Sequence, residues 1–94
     1  MRIQIIGKIS GLSPSVVAAK FSSSESLLKS MGHEVINPVK IVPAGTPYTD
    51  AMRICLRELF TADAVAIQGD WFSSPGSKVE YMVAEVLQLT KIYL

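Results

Sequence analysis

The chain has little of the material from which cross-links and metal centres are built. It holds one cysteine and one histidine among 94 residues. A single cysteine, Cys55, excludes an internal disulfide and a cysteine-rich metal site, and it fits a reducing, cytoplasmic setting. His33 and the scattered acidic residues do not have the spacing of metal ligands. The sequence therefore predicts neither a metal nor a cofactor.

A surplus of positive charge and a long apolar run are also missing. The formal net charge is +1, which provides no electrostatic attraction to nucleic acid or to an acidic membrane surface. No run approaches the roughly 18 apolar residues that a membrane span needs. Gln4, Gly7 and Lys8 interrupt the first apolar run, which is unlike a signal peptide. We expect a cytoplasmic protein with no nucleic-acid partner and no membrane partner.

What the chain does have is apolar material. Its composition is 49% hydrophobic and 18% charged, which is typical of a globular protein and argues against disorder. The length predicts one domain, residues 1–94, around one core. So large an apolar share in so small a chain predicts hydrophobic surface buried between subunits, and hence a homo-oligomer.

Short apolar strands alternate with amphipathic helices along the chain. Ser13-Pro14 is typical of a helix start, and Gly32 of a helix end. The segment 39–46, with Pro43 and Gly45, is predicted to be a loop. The predicted strands are residues 2–6, 33–37, 64–68 and 91–94, and the predicted helices are residues 14–31, 47–60 and 75–89.

This alternation predicts an α/β fold. Strands separated by helices form a parallel sheet with right-handed crossovers, and order 2-1-3-4 is the simplest doubly wound arrangement of four strands. The ligand of such a sheet binds beyond the carboxyl ends of the strands, where the strand order reverses between strands 1 and 3. The loops that meet there read GKISG, NP and GDWFSSPGS, and they are rich in glycine and polar residues.

The last helix raises the question of a carboxylate near the core. Val79, Val83, Val86 and Leu87 form an apolar stripe at helical spacing, predicted to face inward, and Glu80 lies beside it. Glu80 is either an ordinary first-turn acid, favoured by the helix dipole, or a carboxylate in a partly dry cleft that serves as nucleophile or general base. Burial would raise its pKa and the helix N-terminus would lower it.

The residues before Glu80 predict an anion site. Ser73, Ser74, Gly76 and Ser77 flank Pro75, and free N–H groups with small hydroxyls at a helix start suit a phosphate. The alternative is a plain helix cap in a serine-rich turn. We predict that Ser74, Gly76 and Ser77 bind the phosphate of a small-molecule ligand.

Other loop residues have a binding and a structural interpretation each. Lys8 either binds a phosphate through its positive charge or is an ordinary solvated loop lysine. Trp71 stacks on a base or packs against the core, and Asn37 bonds a ligand or forms an Asn-Pro turn. The remaining predicted binding residues in these loops are Gly7, Ser10 and Asp70.

Cys55 also has two interpretations. As a nucleophile it would need a base, and the only histidine, His33, is predicted at the opposite end of its strand from the site. The more favoured interpretation is a small buried apolar residue.

Three segments together carry a resemblance to a known family. GKISG, HEVINP and ADAVAIQGDWFSSPGSKVE resemble the nucleoside 2-deoxyribosyltransferase-like family, most closely its short, uncharacterised branch. The most specific match is Ser-x-Gly-x-x-x-Glu, met by Ser74, Gly76 and Glu80. The resemblance covers essentially the whole chain and implies a flavodoxin-like three-layer sandwich, often with sites formed across a dimer.

The resemblance also implies a chemistry. The glutamate, here Glu80, attacks the anomeric carbon of a (deoxy)ribosyl group, the base leaves, and water or a second base takes the sugar. A serine at Ser74, where other members carry an aspartate, is similar to the branch that accepts nucleoside 5′-monophosphates.

The chain departs from the family pattern at three places. Gln4 stands where a tyrosine is common, and Gly7-Lys8 where Gly-Pro or Gly-Ser is common. Cys55, eight residues before Asp63, stands where an aspartate usually assists the leaving base. The sequence therefore leaves three hypotheses: an N-glycosidase or deoxyribosyltransferase, a catalytically weakened nucleotide-binding module, and an interaction protein with a vestigial pocket.

Overall fold

Four parallel strands form the centre of the molecule, which we describe from a computed structural model covering residues 1–94. No helix in it is long and apolar enough to cross a membrane. The strands are β1 (Arg2–Ile6), β2 (Glu34–Ile36), β3 (Ala64–Ile67) and β4 (Thr90–Tyr93). The helices are α1 (Pro14–Ser30), α2 (Pro38–Ile41), α3 (Tyr48–Leu59) and α4 (Pro75–Val86), with a 3-10 turn at Trp71–Ser73.

The order of the strands is β2-β1-β3-β4, and every neighbouring pair is parallel. This confirms the predicted α/β fold and its order 2-1-3-4. The strand order reverses between β1 and β3, so the crevice at their carboxyl ends is where a ligand of such a sheet binds. The loops after both strands meet at this edge.

Alternating side chains of β1 divide the core into two halves. Ile3 and Ile5 face α1 and pack with Phe21 and Leu28. Ile6 faces the other side, where Leu59 of α3 and Ala84 of α4 lie, and Gln4 shares that side because strand side chains alternate. The molecule therefore has three layers, with α1 on one face of the sheet and α3 and α4 on the other.

Both helix signals predicted for α1 are confirmed. The Ser13 hydroxyl caps the helix by accepting a hydrogen bond from the Val16 N–H at 3.4 Å, and Pro14 is the first helical residue. Gly32 follows the helix with a φ of +88°, a conformation that favours glycine.

The predicted loop 39–46 is wrong in its first residues, because one turn of helix, α2, begins at Pro38. The Asn37 side chain caps it by accepting a hydrogen bond from the Val39 N–H at 3.0 Å. Asn-Pro is thus a helix start here, as Ser-Pro is at α1, and not the turn that this pair also suggests.

The inward stripe predicted for α4 is largely wrong, since of its four residues only Val83 packs against the core. Val79 is 42% exposed and Val86 81% exposed. The buried side of α4 consists of small or polar residues, namely Gly76, Ser77, Glu80 and Ala84. The physical reason is that the Ser77 hydroxyl donates a hydrogen bond to the Gly7 carbonyl at 2.9 Å, which draws the helix close to the end of β1.

A buried carboxylate ties α1 to α2. Glu25 of α1 accepts hydrogen bonds from Lys29 and Lys40 at 2.8 Å and from the Asn37 side-chain amide at 3.0 Å. The Lys29 contact, with those of Lys40 and Asn37, lowers the pKa of Glu25 from 4.5 to about 2 although burial opposes this. Glu25 therefore holds the start of α2 against α1.

We expect Glu25→Gln to lower the free energy of unfolding by about 1–2 kcal/mol at neutral pH, because it removes two ion pairs. The loss is limited to this size because the ammonium groups of both lysines are solvated. A depressed pKa stabilises the native state above pH 4.5, and the benefit is lost as the pH falls toward about 2. Urea unfolding across this range should show the difference vanish in acid. Asp50→Asn, which breaks an exposed pair with Arg53, is the control and should change little.

Candidate functional site

A cavity of about 550 Å³ lies at the carboxyl edge of the sheet. Its walls come from the loop after β1, the starts of α1 and α4, the helix α2 with the connection that follows it, the helix α3, and Ser74 after β3. The apolar part of the wall includes Leu12, Val17, Pro38, Val42 and Met52, and the polar part includes Ser10, Thr46, Tyr48, Ser74, Ser77 and Glu80.

Glu80 is the only charged side chain in this wall. It is 8% exposed and accepts a hydrogen bond at Oε2 from the Gln4 side-chain amide at 3.0 Å. Burial raises the pKa of Glu80 from 4.5 to about 7, and the Gln4 hydrogen bond acts in the opposite direction. Near neutral pH the group is therefore divided between its ionised and protonated forms, the range in which a carboxyl can act as base, acid or nucleophile.

Gln4 belongs to the candidate site, although it was not among the predicted site residues. Gln4 is fully buried in β1, and its Nε2 donates to the backbone carbonyl of Cys55 as well as to Glu80, both at 3.0 Å. The available signal was an amide within the β-branched run RIQII. A polar side chain in a strand covered on both faces needs a partner, and here that partner is the carboxylate.

The start of α4 lies against the cavity as a compact turn. The Ser74 hydroxyl accepts a hydrogen bond from the Ser77 N–H at 3.3 Å and so caps the helix. Gly76 is buried, and a Cβ there would lie 2.9 Å from Sδ of Met52 and 3.3 Å from the hydroxyl of Tyr48. The Ser74 cap leaves its hydroxyl proton available to a ligand.

The structure brings part of the predicted site together. Ser10, Ser74, Gly76, Ser77 and Glu80 all line the cavity. Gly7 lies directly behind them, because its carbonyl accepts the Ser77 hydroxyl hydrogen bond. A side chain at Gly7 would overlap Oε1 of Gln68 and would therefore displace the Gln68 amide.

Four other predicted site residues lie outside the cavity wall. The Lys8 N–H donates to Asp70 at 3.1 Å, and Asp70 forms an ion pair with Lys20 at 2.6 Å. Trp71 stacks on Tyr81 with ring centroids 4.2 Å apart. Asn37 is bonded to Glu25 and caps α2, as described above. The side chains of Asp70, Trp71 and Asn37 are held by protein partners, whereas Lys8 is bonded only through its backbone. Ligand binding by these four residues stays a prediction.

Cys55 lines the cavity as a neutral thiol. Burial raises its pKa to about 12, and the nearby Glu80 carboxylate adds to the effect. A thiol in this state is a poor nucleophile. His33 lies elsewhere, with its Nδ1 atom 3.1 Å from the amino group of Met1. No group of three or more histidine, cysteine or acidic side chains is placed to hold a metal ion.

Comparison with known proteins assigns the chain to a family. It belongs to the family described as Domain of unknown function (DUF4406), whose model matches residues 1–93. No curated protein and no solved structure gives a match.

We expect Glu80→Gln to stabilise the protein in a pH-dependent way. A carboxyl whose pKa is raised on folding costs no stability below pH 4.5, and its cost grows to its full value as the pH rises through about 7. Above that pH the variant should be more stable by on the order of 2–3 kcal/mol, and near pH 4.5 the gain should disappear.

Urea unfolding of both proteins at a series of pH values would measure this gain. Glu85→Gln, on the exposed side of the same helix, is the matched control, and its effect should stay within about 0.5 kcal/mol. A gain from Glu80→Gln that did not vary with pH would contradict the raised pKa.

Proposed function

We propose that this member of the DUF4406 family cleaves the base–sugar bond of a nucleoside or nucleoside 5′-monophosphate, with Glu80 as the nucleophile. The (deoxy)ribosyl group would pass to water or to a second base. The observation that carries the proposal is a buried carboxylate with a pKa of about 7 in the wall of a 550 Å³ cavity at the switch point of the sheet. The resemblance of Ser74, Gly76 and Glu80 to the nucleoside 2-deoxyribosyltransferase-like family supports it.

The chemistry suits a carboxylate in this position. Cleavage of an N-glycosidic bond develops positive charge at the anomeric carbon, which a nearby carboxylate stabilises and traps, as in retaining glycosidases. In the first step an oxygen of Glu80 bonds to the anomeric carbon, while the base departs with the bonding electron pair and takes a proton. In the second step water bonds to the same carbon, loses a proton, and releases the Glu80 carboxylate.

The surroundings of Glu80 support this role. Apolar side chains from the loop after β1, from α1 and α2, and from α3 line most of the cavity. Exclusion of water strengthens the attraction between a carboxylate and developing positive charge. The first turn of α4 presents the Gly76 N–H and the Ser74 hydroxyl, which suit the hydroxyl or phosphate of a sugar, while the Ser77 N–H is already bonded to Ser74. We place the sugar between this turn and Glu80.

A second candidate function is ligand binding without turnover. The observation that favours it is the neutral Cys55 thiol at the position where the resemblance implies an aspartate that assists the leaving base. A chain without that acid would retain the cavity and bind a nucleoside or nucleotide, but it would release the base slowly or not at all.

Assembly with further copies of the chain stays a prediction. The apolar residues of α4 that face outward, Val79, Met82 and Val86, are available to such an assembly. Size measurement by light scattering would test it, and a tight dimer without ligand binding would favour the third hypothesis, an interaction protein.

The proposed reaction predicts release of free base. The purified protein, incubated with nucleosides, deoxynucleosides and their 5′-monophosphates, should release base from at least one class, detected by chromatography. Glu80→Ala should lower the rate by at least about a thousandfold, because it removes the nucleophile. Glu85→Ala, on the exposed side of α4, should keep the rate of the native chain.

The same panel separates the two candidate functions. Thermal stabilisation by one of the compounds without any base release would support the binding module. Base release that survives Glu80→Ala would contradict the role of Glu80, and neither release nor stabilisation would contradict both functions.

A further inference from the structure

A hydrogen bond from the Gln4 side-chain amide holds the Glu80 carboxylate in a fixed geometry. Its Nε2 lies 3.0 Å from Oε2 of Glu80 and 3.0 Å from the carbonyl oxygen of Cys55. Both neighbours are hydrogen-bond acceptors, so the nitrogen and not the oxygen of the amide must face them. Turning the amide over would place its oxygen against a carbonyl and a carboxylate.

The amide is also unable to move away. Gln4 is fully buried in the middle of β1, paired with Ile36 of β2 on one side and Val65 of β3 on the other. Each of its two side-chain N–H bonds has a partner, one on α3 and one on α4. Gln4 thus links the sheet to both helices that flank the cavity.

We propose that Gln4 is a positioning residue for Glu80, which binds Oε2 and leaves Oε1 as the oxygen that reacts with the ligand. This inference rests on the proposed function, in which Glu80 is the nucleophile. Oε1 of Glu80 accepts no hydrogen bond from the chain, whereas Oε2 accepts the one from Gln4.

No other group near Glu80 replaces this contact. The titratable side chains that share the cavity wall are Cys55 and Tyr48 of α3, and no lysine, arginine or histidine side chain lines it. Gln4 is the only side chain that hydrogen-bonds the carboxylate. Because a hydrogen bond to the ionised form favours that form, Gln4 keeps part of the population ready for nucleophilic attack despite burial.

The chain offers a matched control. Gln68, at the end of the neighbouring strand β3, is 7% exposed and, like Gln4, has a buried Oε1 without a partner. Its Nε2 donates to Ser24 and to the Lys20 carbonyl of α1, on the far side of the sheet from Glu80. Substitution of either glutamine by methionine removes a buried amide of similar size.

The test is a carbon-detected NMR titration of the Glu80 carboxyl in the native chain, in Gln4→Met and in Gln68→Met. We expect Gln4→Met to raise the Glu80 pKa by about one unit, the value of one charge-assisted hydrogen bond, and Gln68→Met to leave it unchanged. In the base-release assay, Gln4→Met should move the acid limb of the kcat profile upward by the same amount, while Gln68→Met should not.

A measurement on the native chain keeps the test valid should Gln4→Met fail to fold. The side-chain amide signals of Gln4 should titrate with the midpoint of Glu80, and this titration should be absent in Glu80→Gln. The Gln68 amide should not respond.

The outcomes separate this inference from the proposed function. An unchanged Glu80 pKa in Gln4→Met, or Gln4 amide signals that ignore the Glu80 titration, would overturn the positioning role even where base is released. A raised pKa in a chain that releases no base would support the contact between Gln4 and Glu80 and would overturn the nucleophile role.

Discussion

A carboxyl group kept out of water at the edge of a parallel sheet is the constraint on which the site depends. Glu80 is 8% exposed, and its hydrogen-bond partner comes from the centre of β1. Burial of an acid is costly unless it is neutralised or hydrogen-bonded, so β1 and α4 must hold their relative positions for the site to exist. Two features fix the position of α4 against β1: the hydrogen bond from the Ser77 hydroxyl to the Gly7 carbonyl, and the small buried residues of α4.

The fold was predictable because its signals are local and repeated. Four short apolar strands with helices between them leave few topologies, and the structure confirms the order 2-1-3-4. The two errors have physical causes. The α4 stripe was read from hydrophobicity alone, whereas Gly76 and Ser77 are buried because they allow close packing. The α2 turn was missed because Asn-Pro suits both a turn and a helix cap.

The site was predictable in outline and not in detail. The switch-point rule located the cavity, and the residues at the start of α4 line it. Asp70 and Asn37 lie in the correct loops, yet their side chains bond to protein partners. Pairing of this kind depends on which side chains the fold brings together, and the sequence does not encode it locally. Gln4 was identified as a departure from the family pattern, but its contact with Glu80 was not predicted, since the two residues lie 76 positions apart along the chain.

The contacts of Glu25 with Lys29, Lys40 and Asn37 fix only one part of the cavity wall, the part formed by α2. These contacts hold α2 against α1, while Glu80 is held by its hydrogen bond to Gln4 of β1. Between α2 and α3, residues 42–47 run without regular structure and contribute Val42, Ala44, Gly45 and Thr46 to the wall. Substitutions in this short connection would therefore change the shape of the cavity, with the Glu80 carboxyl and the sheet beneath it left untouched.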